Sequence, residues 1–282
     1  MSPAELEAEY NNRARVPEYQ EIFDRWDREA ADYRGAMRRA RRADLGLSYG
    51  STERQTIDLF RPEGDDNGPL ALFIHGGYWR SLQPSTFSHL ARGLNAHGIT
   101  VAVAGYDLCP RVRVGDIVTQ MRRACLYLWE RFGQRMMVYG DSAGGHLAAC
   151  MVATDWSEVD STAPDDLTSV GMAMSGVFDL TPLLHVSMNA DLRLRDEEDA
   201  RRVSPLFWNV GPGHVLDVVV GGDESSEFLR QSREIAEGWK ARGAETRYLE
   251  VPGANHFTVV DPLADPQSGL NKRLAELAAR TA

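Results

Sequence analysis

The sequence predicts an α/β protein with a mainly parallel central sheet and helices on both faces. From Tyr49 onward, short apolar runs rich in β-branched residues alternate with longer runs of helical character, and such alternation specifies parallel strands joined by helices. Residues 70–74 are entirely apolar, as expected for a strand buried on both faces. With 282 residues, 43% of them hydrophobic, the chain can bury one large core.

The first 48 residues predict a helical extension placed before this main domain, which we assign to residues 49–282. Ile22, Phe23 and Trp26 recur at helical spacing among many charged residues, a pattern typical of an amphipathic helix packed on a larger body.

The main domain then follows in order, with a turn predicted over residues 61–69 and an irregular stretch at 181–213 that we expect to form a small lid. Strands are predicted over 55–60, 70–74, 99–104, 135–139, 170–174, 215–220 and 246–251. Helices are predicted over 86–97, 116–132 and 227–242. Two more are predicted from the turn after strand 135–139 to about 155 and from about 265 onward.

Composition excludes several functional classes. A net charge of −10 and an isoelectric point near 5.2 disfavour nucleic acid or an anionic membrane as partner, because both would repel the surface. A small organic substrate fits better. The sequence has neither a signal-peptide pattern nor an apolar run long enough to span a bilayer, so we expect a cytoplasmic protein.

The three cysteines predict no chemistry. Cys109, Cys125 and Cys150 are widely spaced in apolar surroundings and form no C-x-x-C pair, so we expect reduced core residues. The histidines show no metal-ligand spacing, and we expect neither metal nor cofactor. The sequence leaves the oligomeric state open, including a homodimer.

Residues Gly140–Gly145, with the sequence Gly-Asp-Ser-Ala-Gly-Gly, lie between an apolar run and a helical run. A serine between glycines at such a point is the pattern of a nucleophile elbow, where the turn is strained and backbone segments pass closely. Ser142 is therefore the candidate nucleophile, and a structural glycine turn is the alternative.

A second motif, His75-Gly76-Gly77-Tyr78-Trp79, follows the wholly apolar strand. Two glycines allow backbone N–H groups to turn towards a neighbouring oxygen. With the elbow in the same chain, we expect an oxyanion hole formed by the N–H groups of Gly77, Tyr78 and Ala143. The alternative is a plain glycine turn, and His75 is expected to anchor the loop.

Two later loops supply a candidate acid and base. Asp223 and Glu224 follow one late strand and His256 follows the next, giving the order Ser, acid, His used by α/β-hydrolases. His256 would accept the proton of Ser142, and the carboxylate would orient the imidazole. Either adjacent acid could serve on these grounds.

Together these motifs resemble the kynurenine formamidase (arylformamidase) branch of the α/β-hydrolases, near the hormone-sensitive-lipase-like esterases. The resemblance also includes Tyr106-Asp107-Leu108-Cys109-Pro110, Ser175-Gly176-Val177-Phe178-Asp179-Leu180 and Glu227-Phe228-Leu229-Arg230-Gln231-Ser232, and it runs from about residue 50 to the end. It implies a serine hydrolase that cleaves an aryl formamide such as N-formylkynurenine, or a related small amide or ester. It also favours Glu224 over Asp223, since the family acid falls at the last place of Gly-x-x-acid.

Aromatic side chains near the elbow are candidates for substrate contact, namely Tyr78, Trp79 and Trp208. Ordinary core packing is the alternative for Trp208. An arginine of the charged run at 193–199 could meet a substrate carboxylate. A general carboxylesterase or amidase shares all the catalytic residues, and a non-catalytic binding module on the same scaffold is the least favoured reading.

Overall fold

The computed structural model describes residues 1–64 and 67–282, and within them eight strands form one sheet. The strands are β1 (Ala43–Ser48), β2 (Thr56–Phe60), β3 (Leu70–Ile74), β4 (Thr100–Ala104), β5 (Met136–Asp141), β6 (Val170–Met174), β7 (Val215–Gly221) and β8 (Glu245–Val251). Their order in the sheet is β1-β2-β4-β3-β5-β6-β7-β8. The first two pairings are antiparallel and all the others are parallel, so the predicted mainly parallel sheet is confirmed.

Helices cover both faces of this sheet. The α-helices are α1 (Pro3–Tyr10), α2 (Asn12–Arg15), α3 (Tyr19–Arg39), α4 (Ala91–Asn95), α5 (Val114–Phe132), α6 (Ala143–Val152), α7 (Asn189–Leu192), α8 (Glu197–Arg202), α9 (Ser226–Ala241) and α10 (Gly269–Ala279). No helix in the described part of the chain is long and apolar enough to span a membrane.

Strand β3 shows how the core is divided between the two faces. All five of its residues are buried, and because side chains alternate across a strand, they belong to two separate clusters. Leu72 packs in a cluster with residues of α5 and α6. Phe73 packs in another with residues of α3 and α10. A strand covered on both faces has apolar residues at every position, and the sequence therefore predicts it correctly.

The N-terminal extension differs from the prediction at its end. Helix α3 ends at Arg39, and residues 43–48, expected to belong to a helical extension, instead form the edge strand β1. This strand pairs with β2 through an irregularity between Asp44 and Leu47, where Gly46 has φ +71°. The strand depends on tertiary pairing that local pattern does not reveal.

Smaller differences concern helix type and boundaries. The predicted helix at 86–97 is a 3-10 helix, Pro84–Leu90, followed by the short helix α4, and the last helix begins at Gly269. The expected lid at 181–213 contains α7, α8 and the 3-10 helices Thr181–His185 and Pro205–Phe207. The predicted turn at 61–69 contains residues 65 and 66, which lie outside the described residues.

Candidate active site

Ser142 stands in a strained turn between β5 and α6. Its backbone has φ 55° and ψ −117°, a conformation that a residue with a side chain adopts at an energetic cost and that is typical of a nucleophile elbow. Its N–H donates to the carbonyl of Met174 at 2.8 Å. A Cβ at Gly144 would lie 1.9 Å from the carbonyl oxygen of Ile74, so the close approach of helix and strand requires glycine there.

A line of hydrogen bonds joins Ser142, His256 and Glu224. The Ser142 hydroxyl donates to Nε2 of His256 at 3.0 Å, and Nδ1 of His256 donates to Oε2 of Glu224 at 2.6 Å. All three residues are buried. The acid and the base come from the loops after β7 and β8, where the sequence places them. This geometry lets His256 take a proton from the serine while the carboxylate holds the imidazole.

The carboxylate of Glu224 is fixed by two further donors. The N–H of Gly221 donates to its Oε1 at 2.7 Å, and the Ser175 hydroxyl donates to the same oxygen. Asp223, the alternative acid, is exposed. The structure therefore brings Glu224 to His256. Ser175 was not singled out by sequence reasoning, although it opens the Ser175–Leu180 run that follows β6.

The surroundings of the serine raise the pKa of both His256 and Asp141. Burial opposes protonation of His256, but the charge and hydrogen bond of Glu224 outweigh it, so the pKa of His256 is raised above its ordinary value. Burial raises the pKa of Asp141 to about 7, and Oδ1 of Asp141 has no hydrogen-bond partner in the structure. An acid next to the nucleophile thus titrates near neutrality.

The glycine loop after β3 lies directly against the elbow. A Cβ at Gly76 would be 3.1 Å from Cβ of Ser142. Gly77 has φ +108°, and a Cβ there would lie 2.3 Å from the carbonyl oxygen of Ser81, so both glycines are required sterically. Within the described chain, the N–H groups of Gly77 and Tyr78 donate to no protein acceptor.

Ala143 supplies the third expected donor. It is the first residue of α6, and the first N–H groups of a helix have no partner inside it. Its N–H lies at the positive end of the helix dipole, beside Ser142. Gly77, Tyr78 and Ala143 therefore remain the candidate donors of an oxyanion hole beside Ser142.

His75 lies in the core beneath the loop. Its ring stacks on Tyr106 with centroids 4.3 Å apart, and Nδ1 donates to the carbonyl of Gly76 at 2.7 Å. Complete burial lowers its pKa to about 3. It is therefore neutral at pH 7, and its contacts are those of a residue that holds the loop.

The serine opens into a cavity of about 440 Å³. Its walls come from the elbow, the glycine loop, the loop of His256, the expected lid and the N-terminal extension. Lining residues include Glu7, Tyr10, Asn12, Arg13, Phe23, Trp26, Gly77, Tyr78, Arg80, Asp141, Ser142, Met188, Asp191, His256 and Phe257. The large share contributed by residues 7–26 was not foreseen from the sequence, where this region predicts only an amphipathic extension.

Hydrogen bonds tie the N-terminal extension to the site. Tyr78 donates through its hydroxyl to the carbonyl of Tyr10 at 2.6 Å and accepts from the side-chain amide of Asn12 at 3.1 Å. The Tyr10 hydroxyl donates to Glu227 and accepts from the Gln231 amide, both at 2.9 Å. Glu227 and Gln231 belong to the α9 run that carries the family resemblance, and here they hold helix α1.

Two of the three aromatic residues expected to contact substrate lie elsewhere. Trp79 is fully buried, with its ring edge-on to His146 at 5.0 Å. Trp208 donates to the carbonyl of Arg202 at 3.1 Å and lies under the guanidinium of Arg122. Neither lines the cavity, because Trp79 packs in the core and Trp208 lies half-buried beside Arg122. Tyr78 does line it.

The described residues offer no site for a metal ion, and the three cysteines form no disulfide. Among residues 1–64 and 67–282, no group of three or more histidine, cysteine, aspartate or glutamate side chains could hold a metal ion. Cys109, Cys125 and Cys150 are free and buried, as expected.

This combination of sheet, elbow and glycine loop defines an α/β-hydrolase fold, and the chain belongs to the α/β-hydrolase family. A family model described as the alpha/beta hydrolase fold matches residues 71–260.

The relatives point to hydrolases of small substrates. The kynurenine formamidase of Danio rerio is 28% identical over 240 residues, covering 83% of this chain and 81% of that protein. The isoprenylcysteine alpha-carbonyl methylesterase of Arabidopsis thaliana is 31% identical over 249 residues, covering 79% and 58%. A crystal structure from Silicibacter sp. TM1040, provisionally described as a thioesterase, has a TM-score of 0.81 and 34% identity, covering 94% of this chain and 97% of that one.

Proposed function

We propose that this protein is a serine hydrolase that cleaves an aryl formamide, of which N-formylkynurenine is the model, through a formyl-enzyme. The observation that carries the proposal is the hydrogen-bonded line from Glu224 through His256 to Ser142, which opens on a cavity lined by aromatic side chains. The similarity of the chain to kynurenine formamidases supports a formamide C–N bond as the bond that is cleaved.

In the first half of the reaction, Oγ of Ser142 attacks the formyl carbon and its proton passes to Nε2 of His256. The carbonyl oxygen becomes an oxyanion, which the N–H groups of Gly77, Tyr78 and Ala143 stabilise. The intermediate collapses when the C–N bond breaks, and His256 gives its proton to the departing aryl amine. The formyl group is left as an ester on Ser142.

In the second half, a water molecule replaces the amine. His256 accepts a proton from the water, whose oxygen attacks the formyl ester. The new intermediate collapses with the proton returned to Oγ of Ser142, and formate leaves. The carboxylate of Glu224 accepts the hydrogen bond of His256 and stabilises the imidazolium formed in each half.

The cavity fits a small aromatic substrate. Its volume of about 440 Å³ falls within the roughly 300–1,000 Å³ usual for small-molecule sites. Phe23, Trp26, Tyr78 and Phe257 line it, and aromatic walls suit a flat aryl group. A small-molecule substrate and a cytoplasmic location belong to the same proposal.

A general esterase activity is the second candidate. Methylesterase relatives and the provisionally described thioesterase favour ester or thioester bonds, and the same triad would cleave them. The decisive experiment measures kcat/KM on N-formylkynurenine, p-nitrophenyl acetate and a small aryl amide with the wild type and with Ser142→Ala.

The expected result is the highest kcat/KM on the formamide and a loss of at least about a thousandfold in Ser142→Ala. A preference for the ester would reject the formamidase assignment and leave the triad in place. Full activity of Ser142→Ala, or no reaction of the wild type with a serine-directed organophosphonate, would reject the serine mechanism itself.

A further inference from the structure

Arg13 is the arginine of the cavity that forms no ion pair within the described residues. Of the other charged groups there, Arg80 pairs with Asp191 at 2.7 Å. Glu7 accepts two hydrogen bonds from Ser187, at 2.6 and 2.7 Å. Within residues 1–64 and 67–282, no carboxylate lies at ion-pair distance from Arg13, whereas Arg15 two positions later pairs with Glu9 at 3.7 Å.

The guanidinium of Arg13 is nevertheless held in place. It lies over the rings of Tyr19 and Phe23, 5.3 and 5.8 Å from their centroids. Phe23 lines the same cavity. Within the described residues no protein acceptor takes a hydrogen bond from this guanidinium, and its forked N–H donors match the two oxygens of a carboxylate.

The arginines of the lid run at 193–199 are not placed to bind a carboxylate in the cavity. Arg195 forms an ion pair with Asp199 at 3.1 Å, and no residue of 193–199 lines the cavity. The expectation that an arginine of that run meets a substrate carboxylate is therefore not supported. Arg13, from the N-terminal extension, lines the cavity instead.

We propose that Arg13 determines specificity by binding a carboxylate on the aryl substrate, at the end of the cavity formed by the N-terminal extension. The inference rests on the proposed function and narrows it to aryl formamides that bear an acid group. N-formylkynurenine is one of these, since its side chain ends in an amino acid. The rings of Tyr78 and Phe257 would then contact the aryl part, and Arg13 would select the acid.

The test compares N-formylkynurenine with its carboxamide, which has nearly the same shape but carries a neutral amide in place of the charged carboxylate. The variants are Arg13→Gln and Arg13→Lys, with Arg15→Gln as matched control, because Arg15 lies on the same helix but outside the cavity. Arg13→Gln should raise KM for the acid roughly tenfold to a hundredfold, as expected for hydrogen bonds to a charged group. Its kcat, and both constants for the carboxamide, should stay close to the wild-type values.

For Arg13→Lys, KM for the acid should lie between the values of the wild type and Arg13→Gln, because lysine keeps the charge but loses the forked geometry. Arg15→Gln should leave the ratio of KM for the carboxamide to KM for the acid unchanged. An equal rise in KM for acid and carboxamide would mean that Arg13 only packs the extension against α3, and the proposal would be wrong. An unchanged KM for both would reject it as well.

A separate readout distinguishes this proposal from the proposed function. Should the wild type hydrolyse p-nitrophenyl acetate but not N-formylkynurenine, the formamidase assignment fails, and Arg13 is then tested through inhibition of the ester reaction. Stronger inhibition by kynurenine than by its carboxamide, lost in Arg13→Gln, supports the acid-binding role. Equal inhibition by both compounds overturns it.

Discussion

The hydroxyl of Tyr78 donates to the backbone carbonyl of Tyr10 at 2.6 Å. Tyr78 also lies in the glycine loop, and its N–H is one of the proposed oxyanion donors, so a single residue connects this loop to the N-terminal extension. The extension in turn supplies one wall of the cavity. The shape of the substrate site and the position of the loop are therefore coupled through this bond.

The substitution Tyr78→Phe tests this coupling. It leaves the Tyr10 carbonyl and the Asn12 amide without their partner, and such a loss costs about 1–3 kcal/mol of unfolding free energy. We expect KM for N-formylkynurenine to rise several-fold, because the wall formed by residues 10–13 loosens. Denaturant unfolding and steady-state kinetics measure the two effects.

Tyr33→Phe is the matched control. Tyr33 donates its hydroxyl to Asn95 and does not line the cavity, so its loss should affect stability and not KM. A Tyr78→Phe protein that kept the wild-type KM would show that the extension holds its position without this bond.

Glu224→Gln and Asp223→Asn should behave very differently. Glu224 accepts the hydrogen bond of His256 at 2.6 Å, and replacing its carboxylate by an amide should lower kcat by about 10⁴-fold, as found for triads that lose their acid. Asp223 is exposed, so Asp223→Asn should leave kcat nearly unchanged. Comparable losses in both variants would contradict the assignment of Glu224.

The catalytic loops could be predicted from the sequence because their geometry restricts residue type. Gly77 and Gly144 are needed where a Cβ would collide with backbone, and Ser142 lies in a turn that few sequences form. Such restrictions leave a local signature. The choice of Glu224 over Asp223, by contrast, came from family resemblance, since two adjacent acids look alike until the loop is folded.

The substrate wall could not be predicted in this way. Trp79 ends the glycine-loop motif and Trp208 lies in the expected lid. In the structure Trp79 packs in the core and Trp208 lies half-buried beside Arg122, because local sequence does not encode which face of a loop meets solvent. Tyr10 and Arg13 line the cavity of Ser142 although they lie more than a hundred residues from it in the sequence, and Tyr10 is held there by Tyr78, Glu227 and Gln231. Such long-range contacts leave no periodic signal.

The pH dependence of kcat/KM should report His256. Only the neutral imidazole can accept the serine proton, and the pKa of His256 is raised by Glu224. Activity should therefore fall with decreasing pH through a midpoint above the ordinary histidine value of 6.5. In Glu224→Gln the burial remains but the charge is gone, so the midpoint of the residual activity should move to lower pH. An unmoved midpoint would assign the titration to another group.

Asp141→Asn should remove a pH-dependent loss of stability. Burial raises the pKa of this acid from 3.8 to about 7, so between those values the folded protein keeps a proton that the unfolded chain releases. The wild type should therefore lose unfolding free energy as pH rises from about 4 to about 7, at about 1.4 kcal/mol per pH unit at most, and no further above that range.

Urea unfolding of the wild type and Asp141→Asn at pH 5 and pH 8 measures this effect. The unfolding free energy of the variant relative to that of the wild type should rise by roughly 1–3 kcal/mol from pH 5 to pH 8, because asparagine has no charge to bury. Asp223→Asn, on an exposed neighbour of the triad acid, should show no such gain. The same difference between wild type and Asp141→Asn at both pH values would mean that Asp141 does not titrate between pH 5 and pH 8, and the prediction would be wrong.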